Sequence, residues 1–132
     1  MRWRMEAVPS VSVKKCGSAQ QCVLLGTETG TVVGDLRGSF FRGNAVAFGR
    51  KSHFVVGTTG VFRGTVKGCG SGTIVLVGTE LADTQRGTGE WHIAAGFGKE
   101  DLAHATGHGT GHGTVSNGRF HSEWQGVIDC GN

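Results

Sequence analysis

Glycine, distributed among short β-branched segments, is the feature that most constrains the fold of this chain. It accounts for 25 of 132 residues, and segments such as TIVLV at residues 73–77 lie between glycines. Disorder is not expected, because 37% of the residues are hydrophobic and only one is proline. Valine and threonine favour strands, and glycine permits the bends of a strongly curved sheet. The pattern therefore predicts a folded all-β protein.

Ten segments have the alternation or the β-branched content of strands. They cover residues 3–13, 22–28, 31–36, 39–48, 53–58, 61–67, 73–82, 90–95, 110–116 and 119–129. Asn117 and Gly118 give the strongest hairpin signal, and Thr59 with Gly60 predicts a further interruption. Only residues 99–103 could form a turn of helix. Such a series of short strands is typical of a barrel or a sandwich, and the glycine content favours the barrel. We predict a single domain over residues 1–132, an antiparallel closed β-barrel of about eight strands.

Charge and hydropathy limit the classes of partner. The 13 basic and 10 acidic residues give a net charge of +3 and are scattered along the chain. No nucleic-acid partner is expected, since such proteins concentrate basic residues on one face. No membrane partner is expected either, because no apolar run approaches the ~18 residues of a membrane span. Residues 1–10 lack the apolar segment of a signal peptide, which favours a cytoplasmic protein or a mature secreted one.

Four cysteines leave the redox state open. Cys16 and Cys22 bracket a short loop, whereas Cys69 and Cys130 lie near predicted strand ends. They could form two disulfides, for which three pairings exist, or remain free thiols in a cytoplasmic protein. No zinc site is expected, because the chain has no Cys-x-x-Cys motif.

Three histidines at a spacing of four, His104, His108 and His112, resemble a helical metal site. The glycines between them argue against a helix. Residues four apart on a strand are separated by roughly 13 Å, too far to share one metal ion. We therefore expect polar strand residues here and predict neither a metal nor a cofactor.

The residues predicted to line the interior are aromatic. On the last strand Phe120 and Trp124 share the apolar face, opposite His121 and Glu123. Together with Trp91 and Phe62 they could form the wall of an apolar binding site, or they could simply fill the core. Glu80 is the candidate catalytic group, because its strand is apolar on both faces and a carboxyl inside a barrel could transfer protons.

Several glycine-rich motifs resemble a bacterial family of short barrels related to allene oxide cyclase. They are GVFRGTVKGCGSGT at residues 60–73, GEWHI at 89–93, DLA at 101–103 and GHGTG at 107–111. The resemblance implies an eight-stranded antiparallel barrel with a central cavity. It also implies relatives that include cyclases of hydrophobic substrates, which work largely by holding a flexible molecule in a reactive shape.

Two functions follow as hypotheses. The first is a barrel that binds a small hydrophobic molecule, with cofactor-free cyclase or isomerase activity as its enzymatic form. The second is a non-catalytic secreted or surface binding module stabilised by disulfides. A closed barrel has no exposed sheet edges, so the sequence is compatible with a monomer or a homodimer.

Overall fold

Strands account for most of the chain in the computed structural model. The structure describes residues 1–17, 21–50 and 52–132, except for the side chains at positions 42 and 43. The strands are β1 (Arg2–Cys16), β2 (Gln21–Gly34), β3 (Leu36–Arg50), β4 (His53–Val66), β5 (Gly70–Ala82), β6 (Arg86–Ile93), β7 (Lys99–Glu100), β8 (Thr106–Ser116) and β9 (Arg119–Asp129). None of the described residues belongs to a helix that could span a lipid bilayer.

All strands but β7 form one closed antiparallel barrel. Each pairs with the next in the order β1, β2, β3, β4, β5, β6, β8 and β9, and β9 closes the ring by pairing with β1. The short β7 pairs only with the start of β5. The predicted all-β barrel of eight strands is confirmed. Residues 99–103 form β7 and the start of a turn rather than a turn of helix.

Two of the predicted interruptions between strands were wrong. The strands β2 and β4 run unbroken through Gly30 and Gly60, which pair with Ala7 and Leu76 of neighbouring strands. Both glycines face the interior, where a missing side chain makes room instead of ending a strand. The hairpin at Asn117 and Gly118 is confirmed, since both residues have positive φ angles, 53° and 74°.

The nine Gly-Thr dipeptides follow the inside–outside alternation of the barrel. All nine lie within strands, and in eight of them the glycine faces inward and the threonine outward; the exception is Gly57, on the outer face. Four successive inner positions of β8, 107, 109, 111 and 113, are glycine, and Val115 follows them at the mouth. A bare inner strand leaves space for large side chains from the neighbouring strands.

Side chains fill only one end of the barrel. This apolar plug lies at the end that holds the β4–β5 turn. Its buried residues are Trp3, Val32, Leu36, Phe40, Phe62, Val66, Ile74, Trp91, Ile93, Leu102 and Ala105. Within the plug the rings of Trp3 and Trp91 meet edge to face with centroids 4.7 Å apart, a favourable aromatic geometry. The other end, where β1 ends and β2 begins, is the open mouth.

Both ends of the barrel are fastened by disulfides. At the mouth Cys16 of β1 is bonded to Cys22 of β2, and at the plug end Cys69 of the β4–β5 turn is bonded to Cys130 after β9. All four cysteines are therefore paired. The structure thus selects disulfides over free thiols and fixes one of the three possible pairings.

Substitution of the inner glycines of β8 should destabilise the barrel. The indole ring of Trp124 packs on Gly111, and a methyl group at this position would overlap ring atoms. We expect Gly111→Ala to lower the free energy of unfolding by about 2 kcal/mol, as overpacking usually does. The matched control is Gly57→Ala on the outer face of β4, where an added Cβ meets no heavy atom within 4 Å. This control should be neutral or slightly stabilising. Equal losses for both variants in urea denaturation would contradict the packing argument.

Candidate functional site

The unfilled part of the lumen is a cavity of about 240 Å³ near the mouth. Its walls are mostly apolar and include Met5, Leu24, Ala45, Ala47, Phe54, Val56, Ala82, Phe120 and Trp124. A smaller chamber of about 50 Å³ extends toward the plug. The two hollows share Met5, Glu28, Thr58, Glu80 and Trp124 as lining residues. The two glutamates therefore lie between the open cavity and the apolar plug.

A wider hollow of about 1000 Å³ is lined mostly by outward-facing residues, and its lining also includes Glu80 and Trp124. It is open to solvent, and polar and charged residues such as Arg4, His112 and Glu123 border it. A small-molecule site usually encloses its ligand within largely apolar walls. The smaller lumenal cavity meets this description better than the wider hollow does.

Two carboxyl groups face the lumen. Burial, and secondarily the charge of Glu80, raise the pKa of Glu28 to about 7. Burial likewise raises the pKa of Glu80. Among the described residues, no side chain forms an ion pair with Glu28 or Glu80. The ion pairs that do form join Lys67 to Asp35 and two histidines to glutamates on the outer face. Near neutral pH Glu28 therefore exists in both protonation states.

Glycine positions Glu80 within the lumen. Its neighbour across the β5–β6 ladder is Gly89, and a methyl group there would lie 2.6 Å from Glu80 Cγ. The side chain of Glu80 thus occupies the space that Gly89 leaves free. Thr58 lines both hollows with the two glutamates and adds a hydroxyl group to this level of the lumen.

The four aromatic residues predicted to line a ligand site separate into two pairs. Phe120 and Trp124 are half-buried and line the cavity, whereas Phe62 and Trp91 are buried in the plug and border the inner chamber. The indole N–H of Trp124 donates to Ser122 Oγ at 2.7 Å, and that of Trp91 donates to the carbonyl of Gln125 at 3.2 Å. Both polar atoms are satisfied within the protein. A ligand-binding role for the four residues stays a prediction.

Sequence reasoning left open which of the glutamates near predicted strands, Glu28 among them, face inward, and it did not select Glu28. On β2 the inward positions read Cys22, Leu24, Gly26, Glu28, Gly30 and Val32. The apolar members of this series indicate the inward face, but two glycines flank the glutamate and hide the alternation. A period-two analysis that counts glycine as an inward residue would have placed Glu28 in the lumen.

The turn between β5 and β6 forms an ordered part of the mouth. The carboxylate of Asp83 accepts hydrogen bonds from the backbone N–H groups of Gln85 and Arg86, at 2.7 and 2.8 Å. These two hydrogen bonds, of which the one from Gln85 has the larger effect, hold the pKa of Asp83 below its usual range. Asp83 and Arg86 also line the cavity.

The spaced histidines do not converge on one point, although His112 borders the cavity. His108 and His112 are on the outer face of β8, and His104 belongs to the turn before this strand. His112 Nε2 lies 3.6 Å from a carboxylate oxygen of Glu123 on β9. Among the described residues no group of three or more His, Cys, Asp or Glu side chains could hold a metal ion.

No family model matches the chain, and a comparison with curated proteins finds none that is similar to it.

Proposed function

We propose that the protein binds a small, largely apolar molecule inside the barrel, with its polar head group against Glu28 and Glu80. The cavity of about 240 Å³ carries this proposal, because it has apolar walls and two carboxyl groups at its inner end. Small-molecule sites are typically apolar pockets that contain a small number of convergent polar groups. The lipid-like part of such a ligand would contact Trp124 and Phe120.

The size of the cavity restricts the ligand. Small-molecule sites usually start near ~300 Å³, and the lumen, including its inner chamber, lies at that lower limit. Transfer of the ligand from water contributes roughly 25 cal/mol for each Å² of apolar surface that becomes buried. A small hydrophobic molecule can therefore bind by burial alone, and the carboxyl groups would select among molecules of similar size.

The two carboxyl groups favour a ligand that donates hydrogen bonds. An ionised carboxylate only accepts them, and a charge in a largely buried site is costly unless it is paired. A protonated amine or a hydroxyl group of the ligand would supply the hydrogen-bond donor or the opposite charge that the described side chains do not offer to these carboxyl groups. We therefore propose an apolar amine or alcohol as the ligand class.

Catalysis is a second candidate function, favoured by the pKa of Glu28, which lies at about 7. A group with a pKa near the working pH is suited to proton transfer. Glu80 could serve as the second carboxyl group that donates or accepts a proton. Such a pair would support the cofactor-free cyclase or isomerase implied by the resemblance to the allene oxide cyclase family. In that case a bound apolar substrate would be converted to a product of unchanged mass.

The two disulfides support a site of action in an oxidising compartment, since disulfides persist there and are rare in the cytosol. This part of the proposal agrees with the secreted or surface module considered above. It is compatible with ligand binding, because the disulfides lie at the two ends of the barrel and leave the lumen free.

Filling the lumen tests the proposal. The probe is N-phenyl-1-naphthylamine, a neutral amine whose fluorescence increases in apolar surroundings. We expect it to bind saturably, with one molecule per barrel. Ala47 lines the cavity, and its inward position is fixed by pairing with Leu24 and Val56. Ala47→Trp should weaken probe binding roughly tenfold or more, a loss of at least about 1.4 kcal/mol.

The matched control is Thr59→Trp, which adds the same side chain to the exposed outer face of β4. It should bind the probe as the unsubstituted protein does. Absence of saturable binding, or equal binding by the two tryptophan variants, would refute a lumenal site.

A further inference from the structure

An exposed apolar patch lies on the outside of the barrel near its mouth. Its residues, which we call the outer patch, are 37–66% exposed and belong to five consecutive strands. They are Val13, Val23, Leu25, Val46, Phe48, Val55 and Leu81. Such a concentration of exposed aliphatic side chains marks an interaction surface, whereas single exposed apolar residues need no explanation.

The strand register makes the outer patch continuous. In one row Val23 lies opposite Phe48, Phe48 opposite Val55, and Val55 opposite Leu81. In the second row Leu25 lies between Val13 and Val46. Side chains directly opposite each other on neighbouring strands are in contact range. The patch is therefore a continuous band that follows the curved wall across β1–β5.

The charges at the mouth end of the outer patch are mainly basic. Arg50 and Arg86 are exposed there, and the acidic residue at this rim among the described ones is Asp83, two residues after Leu81. Lys15 lies opposite Val23 and extends the first row of the patch. Other acidic outer residues, for example Glu123 on β9, lie on strands outside the patch. A partner for this wall must offer both apolar and anionic groups.

We infer that the outer patch docks the barrel onto an anionic lipid surface. Valine, leucine and phenylalanine side chains would enter the boundary between head groups and acyl chains. Lys15 and Arg50 would contact the anionic head groups, each such contact favouring binding electrostatically. The earlier expectation of no membrane partner concerned a spanning segment, and docking of this kind requires none.

Other partners fit the outer patch less well. Nucleic acid offers phosphates, but its apolar faces are bases that stack on aromatic rings, and the patch contains one aromatic residue. A second copy of the chain would bring another basic wall to this one and add like-charge repulsion. A lipid surface supplies both negative charge and an apolar layer.

The outer patch and the lumen share strand ends. On β3 Phe48 faces outward and Ala47 lines the cavity, and on β5 Leu81 and Ala82 are related in the same way. Docking would therefore bring the mouth close to the lipid, the source of an apolar ligand. The docking inference itself does not depend on the proposed function, because an empty barrel carries the same surface.

Vesicle co-sedimentation of the full chain tests the inference. The protein is expected to bind phosphatidylcholine vesicles that contain phosphatidylglycerol and to be released by salt, because screening weakens such contacts. Phe48→Ser with Leu81→Ser should reduce partitioning roughly tenfold or more, and so should Lys15→Glu with Arg50→Glu. The controls Val127→Ser, at a residue 60% exposed on β9, and Lys99→Glu, at the plug end, should bind normally.

The outcomes separate the two proposals. Ala47→Trp should still bind vesicles even though its lumen is filled, so loss of probe binding and loss of docking can be observed independently. The inference is overturned if the anionic vesicles do not bind the protein, or if Val127→Ser weakens binding as much as the patch variant does. It is also overturned if the patch variant only dissociates a dimer, or if an oligonucleotide binds in place of vesicles.

Discussion

Replacement of both Cys69 and Cys130 by serine is expected to lower the free energy of unfolding by about 4 kcal/mol, because the bond closes a loop of 61 residues. In the chain-entropy account, a crosslink stabilises the native state by reducing the freedom of the unfolded chain. The loss should be large relative to the net stability of a domain, typically ~5–15 kcal/mol. Urea denaturation of the oxidised protein and of the variant measures it.

The second disulfide provides the matched control for this prediction. Cys16 and Cys22 are only 6 residues apart, so replacing both should cost about 2 kcal/mol. Both bonds lie at strand ends, and the comparison therefore isolates the length of the closed loop. If the two double variants lose the same stability, the loop-entropy explanation fails.

The stability of the protein should decrease as pH rises, and Glu28 should be a main cause. Its pKa is raised from 4.5 to about 7, so the folded state holds a proton that the unfolded state releases. The stabilising effect of this proton is complete below pH 4.5 and is lost as pH rises through about 7. Above that pH the folded state contains a buried carboxylate at a cost of about 3 kcal/mol.

Glu28→Gln removes this cost. The variant and the unsubstituted protein should have similar stability near about pH 4.5, and the variant should be more stable by about 3 kcal/mol near pH 8. Glu90→Gln is the control, because Glu90 is exposed on the outer face of β6, and we expect little change at either pH. A stability difference for Glu28→Gln that stays constant with pH would show that the carboxyl group is not buried as described.

The closed barrel could be predicted because glycine and β-branched residues recur in short segments along the chain, a composition that favours strongly bent strands. Ten predicted segments became eight barrel strands because Gly30 and Gly60 were interpreted as interruptions. In a flat sheet an internal glycine often marks a break or a bulge. Inside a narrow barrel it is also the residue that leaves room for a side chain from across the wall, as Gly111 does for Trp124.

The candidate site could be predicted only in part. Glu80 was found because its strand is apolar on both faces, whereas Glu28 lies between two glycines that carry no periodic hydrophobic signal. Which aromatic residues face open space could not be inferred either, since Trp91 and Trp124 have the same alternation. Their different surroundings result from the position of the plug along the barrel axis, which depends on contacts distant in sequence.

The unequal surroundings of the tryptophans have a spectroscopic consequence. The chain has three tryptophans and no tyrosine, so its near-ultraviolet emission comes from indole alone. Trp3 and Trp91 are each only 5% exposed, lie together in the plug and border the inner chamber but not the mouth cavity. Trp124 is the indole that lines the mouth cavity. A shift in emission on addition of a compound that occupies only the mouth cavity therefore reports on Trp124, and the unlabelled protein can signal occupancy of this cavity by its own fluorescence.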